Sequence, residues 1–466
     1  MATTKVLTKG AFCLDSSTSP GDWMSNVNSL GAGNCFPYIN LGTKKVINHE
    51  EDPCISCISF KDTARLTGTY VEDSISTYLR LKGISDLLYW MFGMEHAPVL
   101  VDVVRSSTSG TYVNGDEYED ESNNSFTLIR TEKLKSGVYQ YIFSCDDDLA
   151  INGDLSRVSG TGVPSIDVSS SSGILYEHLF ELDAWERHQA EFRDVGAGRY
   201  DPDVGELSEL SPDNARGNAY TAGNLKCRRA IIGKKLATGD FQFPGAMCKK
   251  FSIQSEAGKM ATISGDYVAR AKEDSDTSSD TWTLKSELVT NDNVLGHHDF
   301  QVCLDETDDV ENDNIGVINF NLDVEIPLKV EQDTISGLLI EEPVFEGLYG
   351  LNLKVILSRH ATDKYEDFRD AWNSICARIE AHVGYEKLSL LIENAKLSNA
   401  GPNDEEVAKE ELDFVIGTLG LEYLAGNPVD NGPFVDNALF SHKNINRSPV
   451  LLLVRNSDAN QYMNKY

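Results

Sequence analysis

The chain has 466 residues and carries 73 acidic against 41 basic side chains, a formal net charge of −32. That balance argues against high-affinity nucleic-acid binding, which needs lysine and arginine to displace phosphate counterions. Hydrophobic residues at 41% and charged residues at 24% describe an ordinary globular chain, long enough for two or three domains.

The N-terminal run Met1-Ala2-Thr3-Thr4-Lys5 has no apolar core, so no signal peptide is expected and the chain reads as made in a cytoplasm. No apolar run is long enough for a helix to cross a membrane. Nine cysteines, an odd count, argue against a disulfide framework. Cys54-Ile55-Ser56-Cys57 lacks the second pair that a zinc site would want. With Ile55, Ile58 and Phe60 around it, it reads as strand sequence. Thirty-six glycines against fourteen prolines imply many turns and favour strands.

In chain order, strand-like sequence around Tyr78–Lys82 leads into a short predicted helix, Ser85–Phe92, with Ser85 as cap and Gly93 as stop. Strands are predicted at Phe126–Arg130 and Val138–Phe143. Acidic clusters at Asp116–Glu121, Asp146–Asp148 and Asp305–Asp313 read as solvated loops. The segment Asp194–Asn224, rich in glycine and proline, is the expected linker. It divides the chain into 1–193 and 225–466.

Beyond it, basic residues group at Lys226, Arg228, Arg229, Lys234 and Lys235, followed by Lys249 and Lys250. They read either as a partner for acidic patches on a neighbouring copy or as lysines that protect strand edges. Further strands are predicted at Lys250–Ile253 and Phe300–Leu304. From Ile318 to Val330 apolar residues occupy every even position, including Phe320, Leu322 and Val324. Polar residues, Asp323 and Glu325 among them, hold most odd ones. This predicts one strand about 40 Å long with a buried and a wet face, marked by Pro327 as an edge or bulge. Strands are also predicted at Leu351–Leu357, Lys387–Ile392, Leu412–Ile416 and Val450–Val454. Between them Tyr365, Phe368, Trp372, Ile375, Ile379 and Val383 fall at spacings of three and four. They predict an amphipathic helix from an Asp363 cap to a Gly384 stop.

Chemistry-bearing motifs are scarce. There is no phosphate-binding glycine loop, no nucleophile elbow and no HExxH. Gly31-Ala32-Gly33 is too short to cradle phosphate, and Glu341-Glu342 sits among turn signals. His297-His298-Asp299 reads as surface loop. Asp305–Asp313 lacks the central glycine and final glutamate of a calcium loop. The expectation is no catalytic residue, no metal and no cofactor.

The order of segments resembles the major tail tube proteins of long-tailed bacteriophages. In the first half the resemblance lies in Gly68–Gly93 (GTYVEDSISTYLRLKGISDLLYWMFG) and Gly173–Asp183 (GILYEHLFELD). In the second it lies in Arg228–Ala269, Ile318–Glu331, Tyr349–His360, the Asp363–Gly384 stretch and Lys387–Gly417. The resemblance implies β-sandwich domains flanked by helix, assembly into rings, and rings stacked into a virion tail tube. It implies a tape measure protein inside, tail terminator and distal tail proteins at the ends, and DNA passing without specific binding. Stretches Arg105–Lys135 and Asp146–Ser172 depart from the pattern as insertions.

The doubled length predicts two tube domains in tandem and a ring of three chains. The alternative is one domain per chain and a ring of six. Competing readings are another virion β-protein such as a tail terminator, a distal tail protein or a decoration protein, a β-sandwich adhesin, or a glycosidase-like enzyme with paired carboxylates.

Overall fold

A computed structural model describes most of residues 65–182 and 229–305, together with 316–330, 349–358, 375–403, 409–416 and 450–458. Shorter described pieces are 10–14, 35–41, 44–50, 199–201, 206–208 and 344–345. The fold is mainly antiparallel β, as the alternation predicted.

One layer begins with β3 (Tyr38–Leu41) and β4 (Lys44–Glu50), which share an edge of β5 (Arg65–Tyr78). It continues through β17 (Thr262–Ala269), the second half of β16 (Gly239–Glu256), β20 (Val317–Glu325) and β23 (Gly350–Leu357). It ends with β26 (Lys409–Ile416) and the second half of β25 (Glu386–Asn403).

The other layer runs from β19 (Phe300–Asp305) through β24 (Ile375–Val383) and the first half of β25 to β27 (Val450–Asn456). Next come β12 (Ser170–Leu182), β7 (Val99–Ser106), β10 (Tyr139–Ser144) and β9 (Ser125–Lys133). Along its margins β6 (Gly93–Glu95) pairs with β12, β8 (Glu117–Glu119) with β9, and β11 (Ser156–Arg157) with β8.

A third group links β2 (Cys35–Phe36), β1 (Gly10–Leu14), β15 (Arg229–Leu236) and the first half of β16, which also pairs β18 (Glu273–Asp274). Two small hairpin sheets join β13 (Arg199–Asp201) to β14 (Glu206–Ser208) and β21 (Leu328–Lys329) to β22 (Val344–Phe345).

Inward side chains of both main layers form one hydrophobic cluster. Ile253, Phe320 and Leu353 come from the first layer and Ile379, Leu390 and Leu452 from the second. Helix α1 (Ser85–Phe92) belongs to the same cluster, with all eight residues buried. So short a helix is marginal alone, so packing holds it. Its Trp90 Nε1 donates to Ala246 O at 2.9 Å. Gly265 on β17 makes room for it, since a Cβ there would lie 2.8 Å from Met91 Cε and 3.2 Å from Trp90 Cζ3. Gly93 ends the helix as expected, in the left-handed region at φ 91°, its N–H bonded to Tyr89 O. The start differs: the N-cap is Ile84, no side chain caps it, and Ser85 is already helical.

The predicted helix ending at Gly384 is corrected in its described part. Ile375–Val383 is strand β24, and Asp363–Asn373 lies outside the described residues. The error has a physical source. Ile375, Ile379 and Val383 are four apart, a spacing shared by one helix face and one strand face. Ala377 and Ala381 fill the intervening core positions of the strand. Gly384, at φ 65°, opens the two-residue turn that pairs Val383 with Glu386. A positive φ serves a hairpin turn as well as a helix stop.

The long alternating strand is also shorter than predicted. Alternation holds through Val324, but β20 stops at Glu325. Pro327 has no N–H for the ladder. Leu328 N–H bonds back to Ile326 O at 2.8 Å, and the chain turns away into β21. Nor is β20 an edge, because β16 and β23 flank it.

The fold does not show two tandem domains. β5 pairs with β17, β1 with β15 and β12 with β27, so both layers draw strands from either side of residues 194–224. Among the described strands neither half closes a sandwich by itself. Within the expected linker only the β13–β14 hairpin is described.

The stretches taken as insertions pack against β10 in a satellite core. Tyr118, Phe126, Leu155 and Ile166 from those stretches meet Tyr141 and Phe143 of β10 there. The first acidic cluster is correspondingly not all solvated loop. Asp120 is buried and accepts the backbone N–H groups of Ser122, Asn124 and Asn152 at 2.9, 2.8 and 3.2 Å. Burial alone would raise its carboxyl pKa, and those bonds together lower it.

Candidate functional site

Period-two alternation sends one side of every first-layer strand outward. Cross-strand register then assembles those residues into one broad polar face. Along one row Asp413 of β26 lies opposite Lys354 of β23, which lies opposite Asn321 of β20, then Gln254 of β16 and Thr262 of β17. The next rows bring Asp323 opposite Ser252 and Ser264, and Glu325 opposite Lys250 and Asp266.

Charge alternates across the strands. Lys354 contacts Glu411, Lys250 Nζ lies 3.6 Å from Asp323 Oδ1, and Lys249 Nζ lies 3.3 Å from Glu72 Oε1. Between them Asn321 Nδ2 donates to Asp323 Oδ2 at 2.7 Å, and the Ser252 and Ser264 hydroxyls meet at 2.7 Å. Burial raises the pKa of Asp266, with the nearby Lys250 and Lys249 pulling it down. These three lysines are thus matched to carboxylates, and Glu256 is paired with Lys259 at 2.6 Å, while Glu325 and Asp413 keep the face acidic.

Asp323 and Glu325 therefore occupy the wet face where alternation placed them. The basic group after the linker does not form a surface patch among the described residues. Arg229 and Lys234 are buried, Lys234 contacts Asp73, and Lys235 lies 3.4 Å from Asp280. Lys226 and Arg228 lie outside the described residues.

His297-His298-Asp299 forms a 3-10 turn. His297 is engaged through Ser255 Oγ at 2.8 Å and Val317 O at 2.9 Å, while His298 is exposed beside Asp299. Among the described residues no group of three His, Cys, Asp or Glu side chains could hold a metal ion. Cys54, Cys57, Gly31–Gly33, Asp146–Asp148, Glu341-Glu342 and the acidic loop after Asp305 lie outside the described residues.

Sequence reasoning missed a buried ionic cluster on the outer face of the second layer. Side chains of β9 and β10 meet those of β12, β27 and β25 across that face. Arg455 bonds Glu132 at 3.1 Å, Glu177 at 3.3 Å and Gln140 at 3.3 Å. Arg130 contacts Glu177 and bonds Glu132 at 2.9 Å. Lys387 joins Glu132 at 2.8 Å to Glu380 at 2.6 Å. Burial alone would raise the pKa of Glu132, but Arg455, Lys387 and Arg130 hold it well below the usual carboxylate range. Lys387 and Arg378 do the same for Glu380. The only signal in the sequence was a charge at alternate strand positions, which reads equally as a solvent face.

A buried His178 was missed too. Its Nδ1 meets Glu95 Oε1 at 2.8 Å and its Nε2 meets Asp458 O at 2.7 Å. A carbonyl and a carboxylate both only accept, so this arrangement suits a doubly protonated ring.

No protein-family model matches the chain, and a comparison with curated proteins finds no match.

Proposed function

We propose that this chain is a structural, non-enzymatic virion protein that assembles into rings and stacks them as the tail tube of a long-tailed virus. The observation that carries the reading is the broad polar face of β5, β17, β16, β20, β23 and β26. Its Lys249, Lys250 and Lys354 are matched to carboxylates and its remaining charge is acidic. Such a wall repels phosphate, so a duplex slides along it instead of binding. The mainly β fold, the order of the resembling segments and the net charge of −32 support the same reading. In this reading Asp323 and Glu325 line the channel. A tape measure protein occupies it before DNA does, and terminator and distal tail proteins close the ends. Assembly takes place in the host cytoplasm.

Because strands from both halves interleave, the layout that fits is one tube domain per chain and six chains per ring, instead of the tandem arrangement with three. Negative-stain microscopy of the concentrated full chain tests this. Stacked rings with true sixfold symmetry are expected. A chain that stays monomeric by light scattering at every concentration and salt would overturn the reading. Single rings that never stack would move it to a terminator or distal tail protein.

A further inference from the structure

Strands β5, β15 and β17 bring Asp73, Lys234 and Tyr267 together in the interior, where all three are buried. Lys234 Nζ contacts Asp73 Oδ2 directly. Tyr267 donates its hydroxyl to the same oxygen at 2.9 Å. The other carboxyl oxygen, Oδ1, accepts the Ser74 backbone N–H at 2.7 Å. The walls are aromatic: the Phe243 ring centroid lies 5.4 Å from Nζ, and Trp90 meets Tyr267 edge-on at 6.3 Å.

We propose that this is a covalent modification site at which Lys234 and Asp73 condense to an intramolecular isopeptide bond, bracing β5 to β15. A dry site disfavours an ammonium–carboxylate pair. Moving one proton along the existing contact gives an amine and a carboxylic acid with no net proton uptake. Burial lowers the pKa of the Lys234 ammonium, against the opposing hydrogen bond and charge of Asp73, which favours the nucleophilic amine.

The Nζ lone pair attacks Cγ and forms the N–C bond. The Cγ–Oδ1 π pair moves to Oδ1, where the Ser74 N–H stabilises the developing charge. The nitrogen gives up a proton to Oδ2, the oxygen that Tyr267 already faces as donor. The Cγ–Oδ2 bond breaks and the oxygen leaves as water. One amine and one carboxylic acid become one amide and one water, so no oxidant or reductant is needed. The product is neutral, which removes both buried charges. It also joins two strands that do not pair with each other, since β5 pairs β3, β4 and β17 while β15 pairs β1 and β16. The inference is independent of the assembly reading.

Intact mass of the purified, denatured full chain is the test. The expected mass is about 18 Da, one water, below that of the sequence. Trypsin should yield Leu66–Arg80 joined to a peptide beginning at Ala230, uncut after Lys234. Lys234→Arg should return to its full sequence mass, and because the readout is taken on denatured chain it does not require that variant to fold. Wild-type protein at full sequence mass after prolonged incubation would overturn the proposal. So would a water loss that maps to Asp73–Ser74 without Lys234, or one that persists in Lys234→Arg.

Discussion

The outer faces of the two layers are built from the same strand pattern, with charged residues at alternate positions, yet they end in opposite environments. On the first layer Lys250 and Asp323 face solvent, with side chains 46% and 33% exposed. On the second, Arg455 and Glu177 are fully sealed at 0% each, where side chains of β9 and β10 meet them. Exposed pairs contribute little to stability, since water solvates each partner nearly as well as the other partner does. Buried pairs add little net stability when intact, but a partner left alone is costly. The same chemical pattern is therefore a tolerant surface in one place and an intolerant lock in the other.

Breaking the lock is expected to give the largest effect. Arg455→Met leaves Glu132 and Glu177 short of a cation and should destabilise the chain by about 3–5 kcal/mol in denaturant unfolding. A loss under about 1 kcal/mol would mean that the cluster is hydrated. Next comes the inner side of the first layer. Gly265→Ala drives a methyl against Met91 and Trp90 and should cost about 1–3 kcal/mol, with a matching change in tryptophan fluorescence.

Titration sharpens the contrast further. Glu132 and Glu380 have folded pKa values lowered well below the ordinary carboxylate value. Their stabilisation is present above that ordinary value and is lost as pH falls through the lower folded values. His178 runs the other way. Burial lowers its pKa, but the bond and charge of Glu95 with the Asp458 carbonyl raise it overall. Its contribution is complete below the ordinary histidine value and disappears as pH rises through the higher folded one. Melting temperature followed from neutral to alkaline pH should therefore fall in wild type. His178→Gln should flatten that slope and leave the acid limb unchanged.

The smallest effect is expected on the polar face. Lys250→Gln should change stability by less than about 1 kcal/mol, and that difference should vanish in molar salt, which screens exposed pairs. An effect as large as that of Arg455→Met would show that the face is covered.

Local pattern made much of this legible. Leu351–Leu357, Val450–Val454 and the first part of Ile318–Val330 alternate or run apolar, and each is a strand. The α1 helix and its Gly93 stop were readable because an αL glycine after a short apolar run has a local cause. Asp323 and Glu325 could be assigned to the wet face because register with a buried neighbour leaves no choice of side. Ile375–Val383 was not readable, because a spacing of four fits both periods and the pairing of β24 with β19 and β25 is long-range.

Sequence by itself determined the β class, the acidic surface and which side of each alternating strand faces the core, since these follow from composition and a two-residue period. Tertiary structure alone decided that β12 pairs β27 and β5 pairs β17, which interleaves the halves instead of setting them in tandem. It also decided that Arg455, Glu132 and Glu177 are buried while Lys250 and Asp323 are not. A side chain's period records which face it takes, but what lies over that face is set by strands hundreds of residues away.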